Sequence, residues 1–152
     1  MIILQKDNFS RLKQKVKNTK EEIMFTSDDD ELNRKVLEKL PIQILLINQK
    51  QRKDFQKQRN SGFNQIIAKI AKKNNIQIGI NLDEIIESNL KEKSKILART
   101  KQNIKLCNKH KIQMQFITQK KENTRNIYDL KSLGLALGMN NTITKNLKLI
   151  QI

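Results

Sequence analysis

One cysteine, one histidine, one proline and four glycines are spread through the whole chain, and each scarcity removes a class of function. A lone Cys107 permits no intrachain disulfide and points to a reducing, cytoplasmic setting. Hydrolytic metal enzymes on strand-helix folds gather His, Asp and Glu at strand ends, and His110 stands alone. Cys107 and His110 have Cys-x-x-His spacing, but no second Cys or His completes a structural zinc site. As a nucleophilic pair, three residues apart on one helix, they have no third group to orient the base. The plainer reading makes Cys107 a core residue and places His110 at a helix C-terminus, where positive charge is favoured. Neither a P-loop nor a GxGxxG stretch occurs, so nucleotide hydrolysis and dinucleotide redox chemistry have no foothold. No catalytic residue, no metal and no cofactor is expected.

Aromatic residues supply only 4% of the chain and tryptophan none, which leaves an Ile- and Leu-built core and argues against base-stacking platforms of the RNA-recognition-motif or OB type. The apolar start, residues 1–4, is far shorter than a signal-peptide core, and no run approaches the roughly 18 apolar residues of a spanning helix. A soluble protein without a membrane partner is expected. Acids are scarce too: 15 Asp and Glu face 31 Lys and Arg, a net charge of +16. Such a surplus repels itself and calls for a polyanion, with nucleic acid first and an anionic membrane surface second.

At 152 residues there is room for one domain with a real core. Residues 1–4 read as a strand, and residues 9–17 as a helix with Leu12 and Val16 inward. Residues 23–25 form the next strand, and Ser27 is expected to cap a helix whose first turn carries Asp28, Asp29, Asp30 and Glu31. Pro41 ends that helix. The continuous apolar run 42–47 suits a strand covered on both faces. A helix capped by Ser61 would bury Phe63, Ile66, Ile67, Ile70 and Ala71, ahead of a strand at 76–80 and a short helix at 82–88.

A longer helix, 92–109, sets Leu97, Thr100, Ile104 and Cys107 along one side between two basic stripes. These are Lys91, Lys95 and Arg99, then Lys101, Lys105 and Lys109, and either stripe faces phosphate or is simply solvated. Residues 114–118 are a strand and 127–137 the last clear helix, with Gly138 placed to end it. Residues 1–139 are expected as the domain and 140–152 as a C-terminal tail or final strand. Alternating strand and helix predicts an α/β fold with a parallel sheet, open or curled.

One stretch concentrates the charge. Residues 49–64, QKQRKDFQKQRNSGFN, follow the most apolar strand at its C-terminal end, where α/β folds place ligand contacts. Lys50, Arg52, Lys53, Lys57 and Arg59 stand there against a single acid, Asp54. With Ser61 as the cap, Arg59 and Asn60 would lie just before a helix N-terminus, whose free N–H groups favour an anion. Arg59 would add a forked donor for phosphate.

Arg52-Lys53-Asp54-Phe55 followed by Gln58-Arg59-Asn60-Ser61-Gly62-Phe63-Asn64 resembles the signature of the ribonuclease P protein component 3 family, the archaeal counterpart of the thirty-kilodalton eukaryotic subunit. Three later stretches agree in order and spacing: residues 76–80 (IQIGI), 99–109 (RTKQNIKLCNK), and 125–130 (RNIYDL) running on to Leu135-Ala136-Leu137-Gly138-Met139. The resemblance implies a TIM-barrel-like fold and a noncatalytic subunit of the ribonucleoprotein that removes the 5′ leader from precursor tRNA. It implies ribonuclease P RNA and protein component 2 as partners, with precursor tRNA met only indirectly. Carried over by position, the 52–60 loop, Arg99 and Arg125 become the expected RNA or subunit contacts. Two departures follow. The first strand-helix unit of the family is absent, which predicts a shortened or incomplete barrel. Where the family has a small Ser-Gly-type turn after the strand at 114–118, this chain has Gln119-Lys120-Lys121.

Overall fold

Six short parallel strands cross a single sheet in the order in which they occur along the chain. The computed structural model describes residues 1–152. The strands are β1 (Ile2–Leu4), β2 (Ile23–Thr26), β3 (Ile44–Leu46), β4 (Gln77–Asn81), β5 (Met114–Thr118) and β6 (Leu149–Gln151). Helices α1 (Phe9–Lys17), α2 (Asp30–Lys39) and α3 (Gln65–Lys73) connect the first four strands. A pair, α4 (Leu82–Glu87) and α5 (Leu90–His110), joins β4 to β5, and α6 (Ile127–Ala136) and α7 (Asn141–Lys145) lead to β6. Parallel neighbours require such crossovers. Because the strand order never reverses, the sheet has no switch-point crevice and runs instead like the wall of a barrel.

Side chains alternate across that wall. Phe25, Leu45, Ile78 and Phe116 point to the helices and join Leu12, Val36, Leu37, Ala68, Ile104 and Cys107 in the main core. Met24, Ile44, Leu46 and Ile117 point the other way and pack with Ile150, and every member of that group comes from a strand. These four are no more than 2% exposed although no helix contributes to their cluster, so the sheet must curl around its own side chains. The result is a curled half-barrel. Its inner side is tight: a Cβ on Gly79 would stand 3.1 Å from both Leu46 and Ile117.

The structure moves several local boundaries. Ser27 does not cap α2; its hydroxyl bonds the Asn33 side chain and the Asp29 backbone, and Asp29 caps by accepting from the N–H groups of Glu31 and Leu32. Ser61 does not cap α3 either, because Gly62 turns the chain at φ +67° and the helix opens only after Asn64. Ile66, expected inside, is exposed, and Ala68 takes the inner place. The expected strand 42–47 shortens to β3, with Ile42 and Ile47 still buried. On α5 the inner row holds Ile96 rather than Leu97, and it also holds Arg99. Residues 140–152 form α7 and β6, and β6 pairs in parallel with β5. No helix is long and apolar enough to cross a membrane.

Candidate nucleic-acid interface

The connection from β3 to α3 carries the basic stretch, and what orders it is a set of inward-facing polar side chains. Arg99 reaches it from α5 at 1% exposure. Its guanidinium donates to Asp54 Oδ1 at 2.8 Å, to the Gln49 carbonyl at 2.8 Å and to the Arg52 carbonyl at 2.6 Å. Arg52 makes a second brace, forking onto Asp30 at 2.8 and 3.0 Å and donating its Nε to the Asn48 carbonyl at 2.7 Å. Gln49 ties the two ends of the loop, since its side-chain amide donates to the carbonyls of Ile47 and Ser61. Its backbone N–H is taken by Glu84 at 2.7 Å.

Asp54 sits at the centre of this arrangement. Besides Arg99 it receives the Asn60 N–H at 3.0 Å and the Arg59 guanidinium at 3.0 Å. The Arg99 hydrogen bond holds its carboxyl below the usual carboxylate range, with the Asn60 amide and the Arg59 charge assisting. Glu84 shifts the other way, because burial pushes its carboxyl up against the help of the Gln49 and Lys50 amides. The signs differ accordingly. A lowered carboxylate stabilises the fold above its ordinary pKa of 3.8 and loses that contribution as pH falls through its depressed folded value. Glu84, being raised, opposes folding progressively as pH climbs above 4.5. Acidification through that depressed value should therefore cost the Asn60 amide its hydrogen-exchange protection. Protection of the Asn60 amide that follows the same pH course in Asp54→Asn as in the wild type would remove Asp54 from this role.

The braces divide the expected contact residues into two groups. Arg52 and Arg99 direct their guanidinium donors to acceptors inside the protein. Lys50, Lys53 and Lys57 are exposed and form no ion pair, and Arg59, paired only with Asp54, keeps a 48% exposed side chain. Asn60 is half-buried and engaged through its backbone. Arg125 lies on a different connection, after β5, where it donates to the carbonyls of Glu122 and Thr124. It is exposed but is not brought into the 49–64 loop by any of these bonds. With α3 starting later than expected, the anion site at its N-terminus does not form around Arg59, because the Asn64 carboxamide already accepts from the N–H groups of Ile66 and Ile67.

At the open end of the half-barrel, Thr26, Asn48 and Asn81 form a chain of side-chain hydrogen bonds over a cavity of about 610 Å³ lined wholly by polar residues. Asp83 there is committed to Thr118, Gln119 and Asn123. No group of three or more His, Cys, Asp or Glu side chains is gathered to hold a metal ion. Asp30 and Glu84, the acids that fasten the basic loop, carry no mark of that role in the sequence. A signal exists only for Asp54, as the one acid in a basic run.

A family model described as RNase P subunit p30 matches residues 2–148. Two proteins named ribonuclease P protein component 3, from two strains of Methanococcus maripaludis, are 27% and 28% identical to the chain over 130 residues. Each match covers 86% of this chain and 52% of the relative, so the chain spans about half the length of the curated relatives it matches. The fold is similar to a chain in a structure described as the cryo-EM structure of archaeal ribonuclease P with mature tRNA, at a TM-score of 0.78 and 21% identity. That likeness covers 94% of this chain and 63% of the other.

Proposed function

The chain belongs to the RNase P subunit p30 family, and on that premise we propose that it is a protein subunit of ribonuclease P. It binds and supports the catalytic RNA of the ribonucleoprotein that cuts the 5′ leader from precursor tRNA. Protein component 2 is its protein partner, precursor tRNA is met through the assembly, and the cytoplasm is where it works. The observation that carries this reading is the braced loop on a chain of net charge +16: internal acceptors consume two arginines, and Lys50, Lys53, Lys57 and Arg59 are left facing outward. A surface of this kind positions a phosphate backbone without reading its sequence.

The chemistry of hydrolysis belongs to the RNA in this reading. Support comes from the single Cys-His pair. Cys107 is buried, and burial pushes its thiol far above the ordinary range, so the thiolate a nucleophile needs does not form. Added with component 2 to the cognate RNA, the protein should lower the magnesium concentration needed to cleave precursor tRNA. Cleavage that follows the same magnesium dependence with and without it, at matched protein concentrations, would remove the proposal.

A further inference from the structure

The chain holds six aromatic side chains, five Phe and one Tyr. Phe25, Phe63 and Phe116 are buried and Phe9 is half-buried, whereas Tyr128 is 74% exposed on α6 and Phe55 is 65% exposed on the basic loop. An exposed phenyl ring forgoes burial, and this one, unlike Tyr128, sits on the basic loop, so it calls for an occupant. The backbone on both sides of this ring is tied down. Asp54, on one side, is clamped by Arg99 and the Asn60 amide, and on the other side a tight turn closes between Phe55 N–H and the Gln58 carbonyl at 2.8 Å.

Beside Phe55 lies a cleft of about 400 Å³, between the loop and the N-terminal turns of α2 and α3. Its walls carry Arg34 and Arg59, both about half exposed and each paired with one acid, Glu38 and Asp54, together with the amides of Gln58 and Gln102 and the carboxylates of Asp30 and Glu31. An exposed aromatic face on an ordered loop, cationic groups beside it and donor-acceptor amides near both are what a nucleotide needs for its base, its phosphate and its base edge.

We infer that this cleft seats one unpaired nucleotide of an RNA, with its base stacked on Phe55 and its phosphate on Arg59 and Arg34. The inference rests on the RNA-binding reading above and adds a stacked nucleotide to it. A protein partner suits the cleft less well. It lies on the loop that carries Lys50, Lys53 and Lys57, and only 3 of its 13 lining residues are hydrophobic.

The test uses the full chain and two RNA hairpins: one carries a single bulged fluorescent adenine analogue whose emission stacking quenches, and the other is the same hairpin with the bulge deleted. The wild type should bind the bulged hairpin about tenfold more tightly and quench the bulge. Phe55→Leu, which keeps an apolar side chain but has no ring face, should lose that preference and the quenching while binding the paired hairpin as before. Phe55→Trp should keep both. The ring is largely exposed, so an unchanged melting temperature confirms that each variant is folded. Equal bulge preference in wild type and Phe55→Leu overturns the stacking inference and leaves RNA binding standing. A loss in Phe55→Leu confined to binding of a protein subunit overturns it too and assigns the ring to a protein interface. Failure of the wild type to bind either hairpin in a salt-dependent way overturns the RNA-binding reading beneath it.

Discussion

Replacing Arg99 with methionine should cost the folded chain about 3 kcal/mol and free the 49–64 loop. Methionine fills the hydrocarbon part of the site, so packing is largely kept and the loss is of the polar head. Two backbone carbonyls, Gln49 and Arg52, then lose a charged donor at a position 1% exposed. Each buried acceptor left without a partner costs about 1–3 kcal/mol. Asp54 is spared the full penalty of a stranded charge, because it is partly exposed and keeps Arg59 and the Asn60 amide. These figures set the total near the low end of the roughly 3–5 kcal/mol seen on breaking buried ion pairs. For a chain of this size, that is a fall of about 6–12 °C in melting temperature.

The same substitution has a local readout. With the loop unfastened from α5, Lys50, Lys53, Lys57 and Arg59 become good tryptic sites, and cleavage should start there. Arg99→Lys should recover little, since one ammonium on a flexible stem cannot serve three acceptors set in a fork. A variant with wild-type melting temperature and an uncut loop would show that the Arg99 bonds add nothing to either.

Why Arg99 is legible as basic but not as a brace follows from how α5 is built. Its buried face runs through Ile96, Arg99, Thr100, Asn103, Ile104 and Cys107, a regular helical stripe. By period alone, position 99 belongs inside. Its charge argues the other way and groups it with Lys91 and Lys95, because an arginine goes inside only when acceptors await it. Those acceptors come from a loop 45 to 50 residues earlier in the chain. Nothing local to α5 announces them.

The helix starts show a different limit. Six of the seven α-helices open on asparagine: Asn8, Asn64, Asn81, Asn89, Asn126 and Asn140. The serines expected to cap, Ser27 and Ser61, spend their hydroxyls on bends at strand and loop ends. Asparagine caps as well as serine does, so both residue types qualify by sequence and only the backbone decides between them. The periodic elements survive intact: α1 falls at residues 9–17 and β5 at 114–118, because Leu12 with Val16 and the apolar run after Ile112 admit one assignment each. The sheet's curl is legible only as one of two outcomes. It depends on Met24, Ile44, Leu46 and Ile117 meeting across strands far apart in sequence.

The loop thus separates two cationic chemistries. Arg52 and Arg99 use fork geometry to bind several acceptors at once and disappear into the fold, while lysines, compact and strongly hydrated, stay outside as point charges. That division makes the second large prediction specific to three residues. Lys50→Ala with Lys53→Ala and Lys57→Ala should weaken RNA binding about a hundredfold at ~0.1 M salt, with no loss of folding stability, because none of the three is paired within the protein. The slope of log affinity against log salt should flatten by about 2–3, since each phosphate that is no longer neutralised takes about 0.7–0.9 from it. Lys101, Lys105 and Lys109 on α5 are the matched control, being exposed, unpaired and equal in charge. Changing those three to alanine should flatten the slope much less if the braced loop is the docking surface. Equal flattening by both triple variants would mean that the RNA follows net charge alone, and the loop would then be one basic patch among several.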